Sequence, residues 1–294
     1  NPSGPAMSEY LGFMLAFIAA ISWGTQFVPL KRIKNPDMLN FQVFMSVGII
    51  IISVILTFIL GFPFTINYFG LLAGVVWGIG NIFHITAVKN IGLAKGTAIP
   101  LGTSLIISFF FGSFFFNESF NFLLGLTGVI IFLIGLPFVT YTKEKLKTNK
   151  IGIIAAFVAG SLFGSILIFF KLGNLKPSEF LFPLSVGVIL LGIILFLTKV
   201  RKIMKEYAYN GIASGIIWGI GMLSATYAVA FLGLAIGQPL TQLALLVAVL
   251  LGLFYFKEIK ERKVIRMILI GAVLIFLAGI LLAFSRILLF KILV

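Results

Sequence analysis

Cysteine is absent from this 294-residue chain, and only 8 of its residues are acidic. The lack of cysteine excludes disulfides, thiolate metal ligands and a thiol nucleophile. Charged residues make up 10% of the chain, whereas an average soluble domain has roughly 25%. Hydrophobic residues make up 61%, and the mean hydropathy is +1.19. Because so few polar side chains could not cover a water-soluble surface, the composition predicts a membrane protein.

Ten mostly apolar runs are long enough to cross a bilayer as helices, which takes about 20 residues each. The runs lack the alternation of barrel strands, so we predict an all-α membrane protein with ten transmembrane helices. The predicted spans are Tyr10–Leu30, Phe41–Gly61, Tyr68–Val88, Gly96–Phe116, Phe122–Tyr141, Ile151–Phe170, Glu179–Thr198, Ala208–Ala230, Ile236–Phe256 and Ile265–Ser285. Residues 1–6 precede Met7, and we expect them to be a cloning remnant outside the fold.

Basic residues collect on one side of this predicted topology. Of the 22 Lys and Arg residues, Lys171, Lys176, Arg286 and Lys291 fall on one side, which leaves 18 on the other. The positive-inside rule places the basic side in the cytoplasm and both termini outside the cell membrane. We therefore interpret the net charge of +14 as anchoring beside anionic lipid, and we expect no nucleic-acid partner.

The sequence repeats itself at an offset of about 140 residues. In the clearest match, Gly74–Gly80 (GVVWGIG) corresponds to Gly215–Gly221 (GIIWGIG). Each repeat holds five helices, an odd number, so two inverted repeats are predicted, residues 7–148 and residues 149–294, within one transmembrane domain. Secondary transporters are often built this way, with the substrate bound near the midplane where the halves meet.

Several motifs resemble those of the drug/metabolite transporter superfamily. They are the Trp23-Gly24 pair in the first helix and a glutamate at the end of the fourth helix of each half, Glu118 and Glu258. Within the EamA-like ten-helix type, Phe27–Lys31 and Gly74–Asn81 are similar to the glucose/ribose uptake branch. The resemblance implies a secondary transporter that imports a sugar or sugar-like solute by alternating access, with proton coupling left open. The alternative is export of amino acids or other small metabolites.

Polar and aromatic side chains inside the spans are the candidate substrate ligands, because polar groups in a bilayer are costly. Trp77, Asn81 and His84 share one face of the third helix, since they are spaced at i, i+4 and i+7. Amides offer donors and acceptors to hydroxyls, and an indole face packs against a sugar ring. The full set predicted for a neutral polyhydroxy substrate is Trp23, Gln26, Trp77, Asn81, His84, Trp218, Gln238 and Gln242. Helix packing and interhelical hydrogen bonds are the alternative roles.

The chain has a single histidine, and His84 is therefore the candidate proton carrier; a structural bond to a neighbouring helix is its alternative role. No acidic residue lies between Leu11 and Leu30, which disfavours export of cationic drugs through a first-helix glutamate. Lys31 and Lys171 end helices 1 and 6, where they either snorkel to headgroups or take part in gating. Pro100 and Pro239, early in helices 4 and 9, are gating candidates because proline can kink a helix.

Enzyme motifs are missing from the sequence. There is no His-Glu-x-x-His, no pair of intramembrane aspartates and no Gly-x-Ser-x-Gly, and one histidine cannot build a histidine metal site. A channel would need repeated rings of polar residues along a pore, which the helices lack. We therefore expect a transporter that is not an enzyme, with no metal or cofactor, whose partners are a small solute and the lipid bilayer.

Overall fold

The computed structural model describes residues 5–33, 37–141, 149–200, 205–257 and 260–293. All regular secondary structure in these ranges is helical, and ten segments are long and apolar enough to cross a membrane. We number them in chain order as α1 Met7–Arg32, α2 Met38–Ile59, α3 Tyr68–Gly92, α4 Lys95–Phe115, α5 Phe122–Val139, α6 Lys150–Leu172, α7 Pro177–Thr198, α8 Lys205–Leu232, α9 Leu234–Tyr255 and α10 Arg262–Ile287. The prediction of an all-α, multi-pass membrane protein is confirmed.

The end of α1 differs from the prediction for a clear physical reason. Regular α-helix in α1 ends at Thr25, and a short 3-10 turn follows at Pro29–Arg32. Proline has no N–H to donate to the Thr25 carbonyl four residues earlier, and the Val28 N–H donates to that carbonyl instead, at 2.9 Å. Gln26, predicted on a face of the first helix, therefore lies in the turn beyond it.

The connection between α3 and α4 is much shorter than the predicted loop from 89 to 95. Helical hydrogen bonding continues on both sides of a break at Gly92, whose φ of 83° and ψ of 163° are not helical. Glycine adopts this positive φ without the steric penalty of a Cβ. The chain therefore reverses at one glycine, and the helices on either side keep nearly their full length.

The helices of the two halves interleave rather than forming two separate bundles. α8 packs against α1 and α2, α3 packs against α6 and α7, and α5 packs against α10. Glycines make the closest crossings: a Cβ on Gly74 would lie 2.0 Å from the Leu184 carbonyl oxygen, and one on Gly215 would lie 2.1 Å from that of Met45. Backbones approach this closely only at small residues. Because lipid offers no hydrophobic driving force between helices, such close packing stabilises their association.

Irregular backbone features recur at the offset of the sequence repeat. Gly233, between α8 and α9, has a φ of 85° and a ψ of 164°, close to the values at Gly92. A π-helical turn occurs at Phe111–Phe115 near the end of α4 and again at Leu251–Tyr255 near the end of α9. Local structure thus repeats together with sequence. The opposite membrane orientation of the two halves and the predicted boundary between them stay predictions.

Candidate functional site

All three tryptophans of the chain meet in one cluster between the two halves. The ring centroids of Trp77 on α3 and Trp218 on α8 lie 4.5 Å apart, and Trp23 on α1 stacks on Trp218 at 6.4 Å. The Trp23 indole N–H also donates to the Trp218 carbonyl at 3.3 Å. Trp77 and Trp218 are buried, whereas Trp23 is half-buried. Since Trp77 and Trp218 are equivalent in the repeat, their contact lies where the halves meet.

A pair of buried amides lies next to this cluster. Asn81, one turn after Trp77 on α3, donates from its amide nitrogen to the side-chain oxygen of Gln42 on α2. Asn81 is 7% exposed and Gln42 is 3% exposed. An amide side chain has two N–H donors and an oxygen with two lone pairs, so one mutual bond leaves capacity for a bound hydroxyl. The structure therefore places a polar pair beside an aromatic wall.

Gln42 was not among the predicted ligands. It is the second residue of the predicted span Phe41–Gly61, and polar residues at the end of a span are commonly interfacial. Only its burial and its hydrogen bond with Asn81 distinguish it from such a residue. It is the one amide in that predicted span, and this was the signal that could have identified it.

His84 lies apart from the tryptophan cluster. Its Nε2 is 3.4 Å from the Thr97 hydroxyl on α4, and its ring packs edge-on against Phe163 on α6 at 5.9 Å. Phe163 occupies the position equivalent to Trp23 in the repeat. The geometry agrees with the structural role of this histidine, and its role as a proton carrier stays a prediction.

The two predicted glutamines of α9 are also buried, at 4% and 5% exposure for Gln238 and Gln242. Regular helix ends at Thr241 and resumes at Ala244, so Gln242 lies in the break. Gln238 Oε1 has no hydrogen-bond partner in the described part of the chain. Such an orphan acceptor carries a free-energy cost. No hydrogen bond among the described residues joins either glutamine to the tryptophans or to Asn81.

The two predicted proline kinks have different outcomes. In α9, the helical break follows Pro239 within a few residues, and the carbonyl four residues before the proline loses its helical donor. In α4, regular helix continues through Pro100, and Gly92 is the one position with non-helical angles between Tyr68 and Phe110. The backbone angles therefore show no break at Pro100, and its role in gating stays a prediction. Gly160 of α6 packs closely against Pro100.

A charged network lies where α6 ends and α9 begins. The Glu118 carboxylate accepts the N–H groups of Leu234 and Ala235, at 2.8 and 2.7 Å, and pairs with the Lys171 ammonium. The ammonium also lies 4.7 Å from the Phe116 ring centroid. Lys171 thus points at a buried carboxylate, in contrast to the snorkelling alternative. We call Glu118, Lys171 and the two N–H groups the Glu118 network.

Lys31, the repeat equivalent of Lys171, occupies a similar position over an aromatic ring. Its ammonium lies 4.2 Å from the centroid of Phe256, which is the equivalent of Phe116. Glu258, the equivalent of Glu118, falls outside the described residues. The cation–aromatic contact is therefore shared by both halves of the chain.

A cavity of about 340 Å³ opens beside the Glu118 network. Its charged walls are Glu118, Lys171 and Arg286. Arg286 Nε donates to Glu9 at 3.0 Å, and another of its nitrogens donates to the Ser119 carbonyl. This recess is therefore lined by charged groups of both signs.

A family comparison and a comparison with individual sequences find similar descriptions among known proteins. A family model described as sugar transport protein matches residues 14–285. A Listeria monocytogenes protein named as a sugar uptake protein is 26% identical to this chain. The alignment covers 94% of this chain and 99% of that protein. Proteins with the same kind of name from Lactiplantibacillus plantarum and Enterococcus faecalis are each 24% identical, with 94% of this chain and 100% of each protein covered. A solved crystal structure superposes with a TM-score of 0.70 at 13% identity, over 91% of this chain and 97% of the other, so the two share a fold.

Proposed function

Because this chain belongs to the sugar transport protein family, we propose that it imports a monosaccharide or similar neutral polyhydroxy solute by alternating access. The observation that carries this proposal is the buried cluster of indoles and amides between the halves. Two tryptophan rings 4.5 Å apart supply an apolar wall, and the Asn81–Gln42 pair supplies donors and acceptors. We further propose that the protein lies in the cell membrane with both termini outside, as the distribution of basic residues indicates.

The proposed site uses each part of the cluster differently. The C–H face of a sugar ring packs against Trp77 or Trp218, while hydroxyls exchange hydrogen bonds with Asn81 and Gln42. These residues are closely packed, so the substrate enters only when the helices that carry them separate. Gln238 is a second proposed contact along the path, because a substrate hydroxyl that donates to its orphan Oε1 relieves the cost of that buried acceptor.

Uptake by the purified protein in proteoliposomes tests the substrate class. We expect labelled monosaccharide to accumulate and unlabelled monosaccharides to compete, while amino acids at the same concentration do not. Insensitivity to every sugar, or competition by amino acids, would contradict the proposal and favour the metabolite-exporter alternative. Empty vesicles control for leakage.

A matched pair of substitutions tests the site. Asn81 and Met222 are equivalent in the repeat, and Met222 is 1% exposed. We expect Asn81→Leu to reduce uptake by roughly 10-fold or more, since a lost hydrogen bond with an orphaned partner costs about 1–3 kcal/mol. Met222→Leu conserves volume and polarity, and we expect uptake within about 2-fold of the parent protein. Equal uptake by the two variants would contradict the assigned role of Asn81, as would near-normal uptake by both Asn81→Ala and Trp77→Ala.

The energy source is a separate part of the proposal. We propose that any proton coupling runs through His84, because imidazole is the side chain that exchanges protons near neutral pH and the chain has one histidine. An acid-outside gradient should then drive accumulation by the parent protein. His84→Gln should lose that accumulation but keep sugar exchange between the two sides of the membrane. A gradient that changes neither rate nor accumulation would indicate a uniporter, with His84 serving the contact to Thr97.

A further inference from the structure

The end of α1 lies along α8 and is held there on both sides of the point where its regular helix stops, at Thr25. Before this point, the indole of Trp23 lies over Gly221, where a Cβ would be 2.6 Å from the Trp23 Cδ1 and Nε1 atoms. Beyond it, the Ser214 hydroxyl donates a hydrogen bond to the Gln26 carbonyl. Because these contacts run in opposite directions along the two chains, the helices are antiparallel here, and α8 holds the last turn of α1 at two points.

The bond from Ser214 satisfies a carbonyl that has lost its helical donors. The donor four residues after Gln26 would be Leu30, which lies beyond the end of regular helix, and the donor three residues after it would be Pro29, which has no N–H. No backbone N–H among the described residues donates to the Gln26 carbonyl. Ser214 is fully buried, so its hydroxyl stays on this carbonyl only while α1 lies against α8. The docked position of α1 is therefore stabilised by a bond that is lost when the helices separate.

Elsewhere α1 has few contacts that would resist movement. Among the ten described spans it is the least buried, and Met14 and Phe17 are each 62% exposed. The residues from 23 to 30 are all half-buried, and none of them is fully buried. The other half of α1 packs closely on α8 at Gly12, where a Cβ would be 2.8 Å from the Leu232 Cγ atom. The helix can therefore pivot about this contact when its last turn leaves α8.

The last turn of α1 also lies against the proposed sugar site. Trp23 stacks on Trp218 with ring centroids 6.4 Å apart, and its indole N–H donates to the carbonyl of that residue. Phe27 lies 6.4 Å from Phe41, the neighbour of Gln42 in the chain. These contacts join α1 to a helix that carries the aromatic wall and to a helix that carries one of the amides. Movement of this turn therefore uncovers the site from the end where α1 runs into the basic loop before α2.

We propose that residues 23–30 form a gate over the site on the side of the basic loops, and that Ser214 and Gly221 are the positioning residues that keep it closed. The role in transport rests on the proposed function, whereas the docking of α1 on α8 does not. When the gate opens, the Ser214 hydroxyl leaves the Gln26 carbonyl, and the Trp23 indole leaves α8. Water then reaches the freed carbonyl, and the substrate leaves the site toward the basic loops.

A single thiol on α1 reports whether the gate is docked. The chain has no cysteine, and Ser22 is 8% exposed, with its Cβ 2.9 Å from where a Cβ on Gly221 would be. In proteoliposomes with dilute N-ethylmaleimide, the labelling rate of Ser22→Cys follows the undocked population. Adding Ser214→Ala should raise this rate by roughly 5-fold to 150-fold. Adding Ser224→Ala removes a hydroxyl that bonds within α8 and should change the rate by less than about 2-fold.

Two more variants separate gate opening from general loosening of the bundle. Gly221→Ala places a methyl group against the Trp23 ring and should also raise the labelling rate of Ser22→Cys. Ser185→Cys puts the thiol at a fully buried position on α7, and its labelling should not change when Ser214→Ala is added. Equal rates in the two serine-to-alanine variants would overturn the gate, and so would an equal rise at both thiols.

Sugar uptake tests the role of the gate in transport, with unmodified Ser22→Cys as the reference. Maleimide attached to Ser22→Cys keeps α1 from docking and should abolish uptake. The same reagent on Lys205→Cys, at an exposed position at the start of α8, should leave uptake unchanged. Normal uptake after full modification of Ser22→Cys would refute the gate. If the parent protein takes up no sugar, the proposed function fails, and the labelling rates still decide whether Ser214 holds α1 on α8.

Discussion

The Glu118 carboxylate ties together three helices, and we expect its removal to destabilise the protein. It connects the end of α4 to the ammonium at the end of α6 and to the first two N–H groups of α9. The side chain of Glu118 is 8% exposed and that of Lys171 is 25% exposed. Glu118→Ala therefore leaves a largely buried cation without its counter-ion and two backbone donors without an acceptor.

The expected loss can be estimated from these contacts. Breaking a buried ion pair by removing one partner costs about 3–5 kcal/mol. Lys171 keeps a quarter of its side-chain exposure and recovers part of its hydration, so we expect the lower end, about 3 kcal/mol. Glu118→Gln keeps the shape and one acceptor but loses the charge, and we expect about 1.5–3 kcal/mol. Adding Lys171→Met to Glu118→Gln should cost little more, because the ammonium has already lost its charged partner.

Equilibrium unfolding in mixed micelles measures these free energies. The control is Glu206→Gln, which removes an exposed carboxylate in the first turn of α8 and should change stability by less than about 0.5 kcal/mol. The reasoning would be refuted if Glu118→Ala were as stable as the control. Full additivity of Glu118→Gln and Lys171→Met would refute the ion pair specifically, because residues in one network are expected to couple by about 0.5–3 kcal/mol.

Three further predictions use the helix packing, the tryptophans and the absence of cysteine. Gly74→Ala should destabilise by about 1–3 kcal/mol, since its Cβ would overlap a backbone oxygen of α7; Gly164→Ala, whose nearest contact would be 3.1 Å, should cost less in the same unfolding assay. Monosaccharide should change the intrinsic tryptophan fluorescence, because all three indoles lie in the proposed site, and an unchanged spectrum on saturation would contradict that site. An impermeant maleimide added outside whole cells should label Lys176→Cys and leave Lys205→Cys unlabelled; the reverse pattern would invert the predicted topology.

The architecture was predictable because only helices and closed barrels can span a bilayer. Lipid forces each run of apolar residues to satisfy its own backbone hydrogen bonds, and the ten hydrophobic runs therefore became ten helices. The contact between Trp77 and Trp218 was harder to predict from the sequence. The repeat showed that these residues are equivalent, but equivalence does not bring two side chains together unless they lie on the axis that relates the halves.

Other parts of the site depended on contacts between distant segments, which no local pattern reveals. The Glu118 network joins residues 53 and 116 positions apart, and the sequence identified Glu118 only as a family motif at the end of the fourth helix. From its position at the end of a predicted span, Gln42 resembled an interfacial residue. The structure shows that it instead accepts a hydrogen bond from Asn81. Pro100 has the same kink-forming ring as Pro239, yet helix continues through the one and breaks just beyond the other.

Equivalent positions of the repeat have different neighbours, and the alternating access that we propose needs such asymmetry. Trp23 stacks on Trp218, whereas its equivalent Phe163 packs edge-on against His84. Two halves of similar sequence that hold dissimilar contacts can exchange them, and in the proposed mechanism the exchanged arrangement opens the opposite side of the membrane. Such an exchange would carry Trp23 away from Trp218 and would expose the indole face on which we place the sugar. The residues that break the symmetry, Trp23 and His84, are therefore where substrate and conformation are expected to couple.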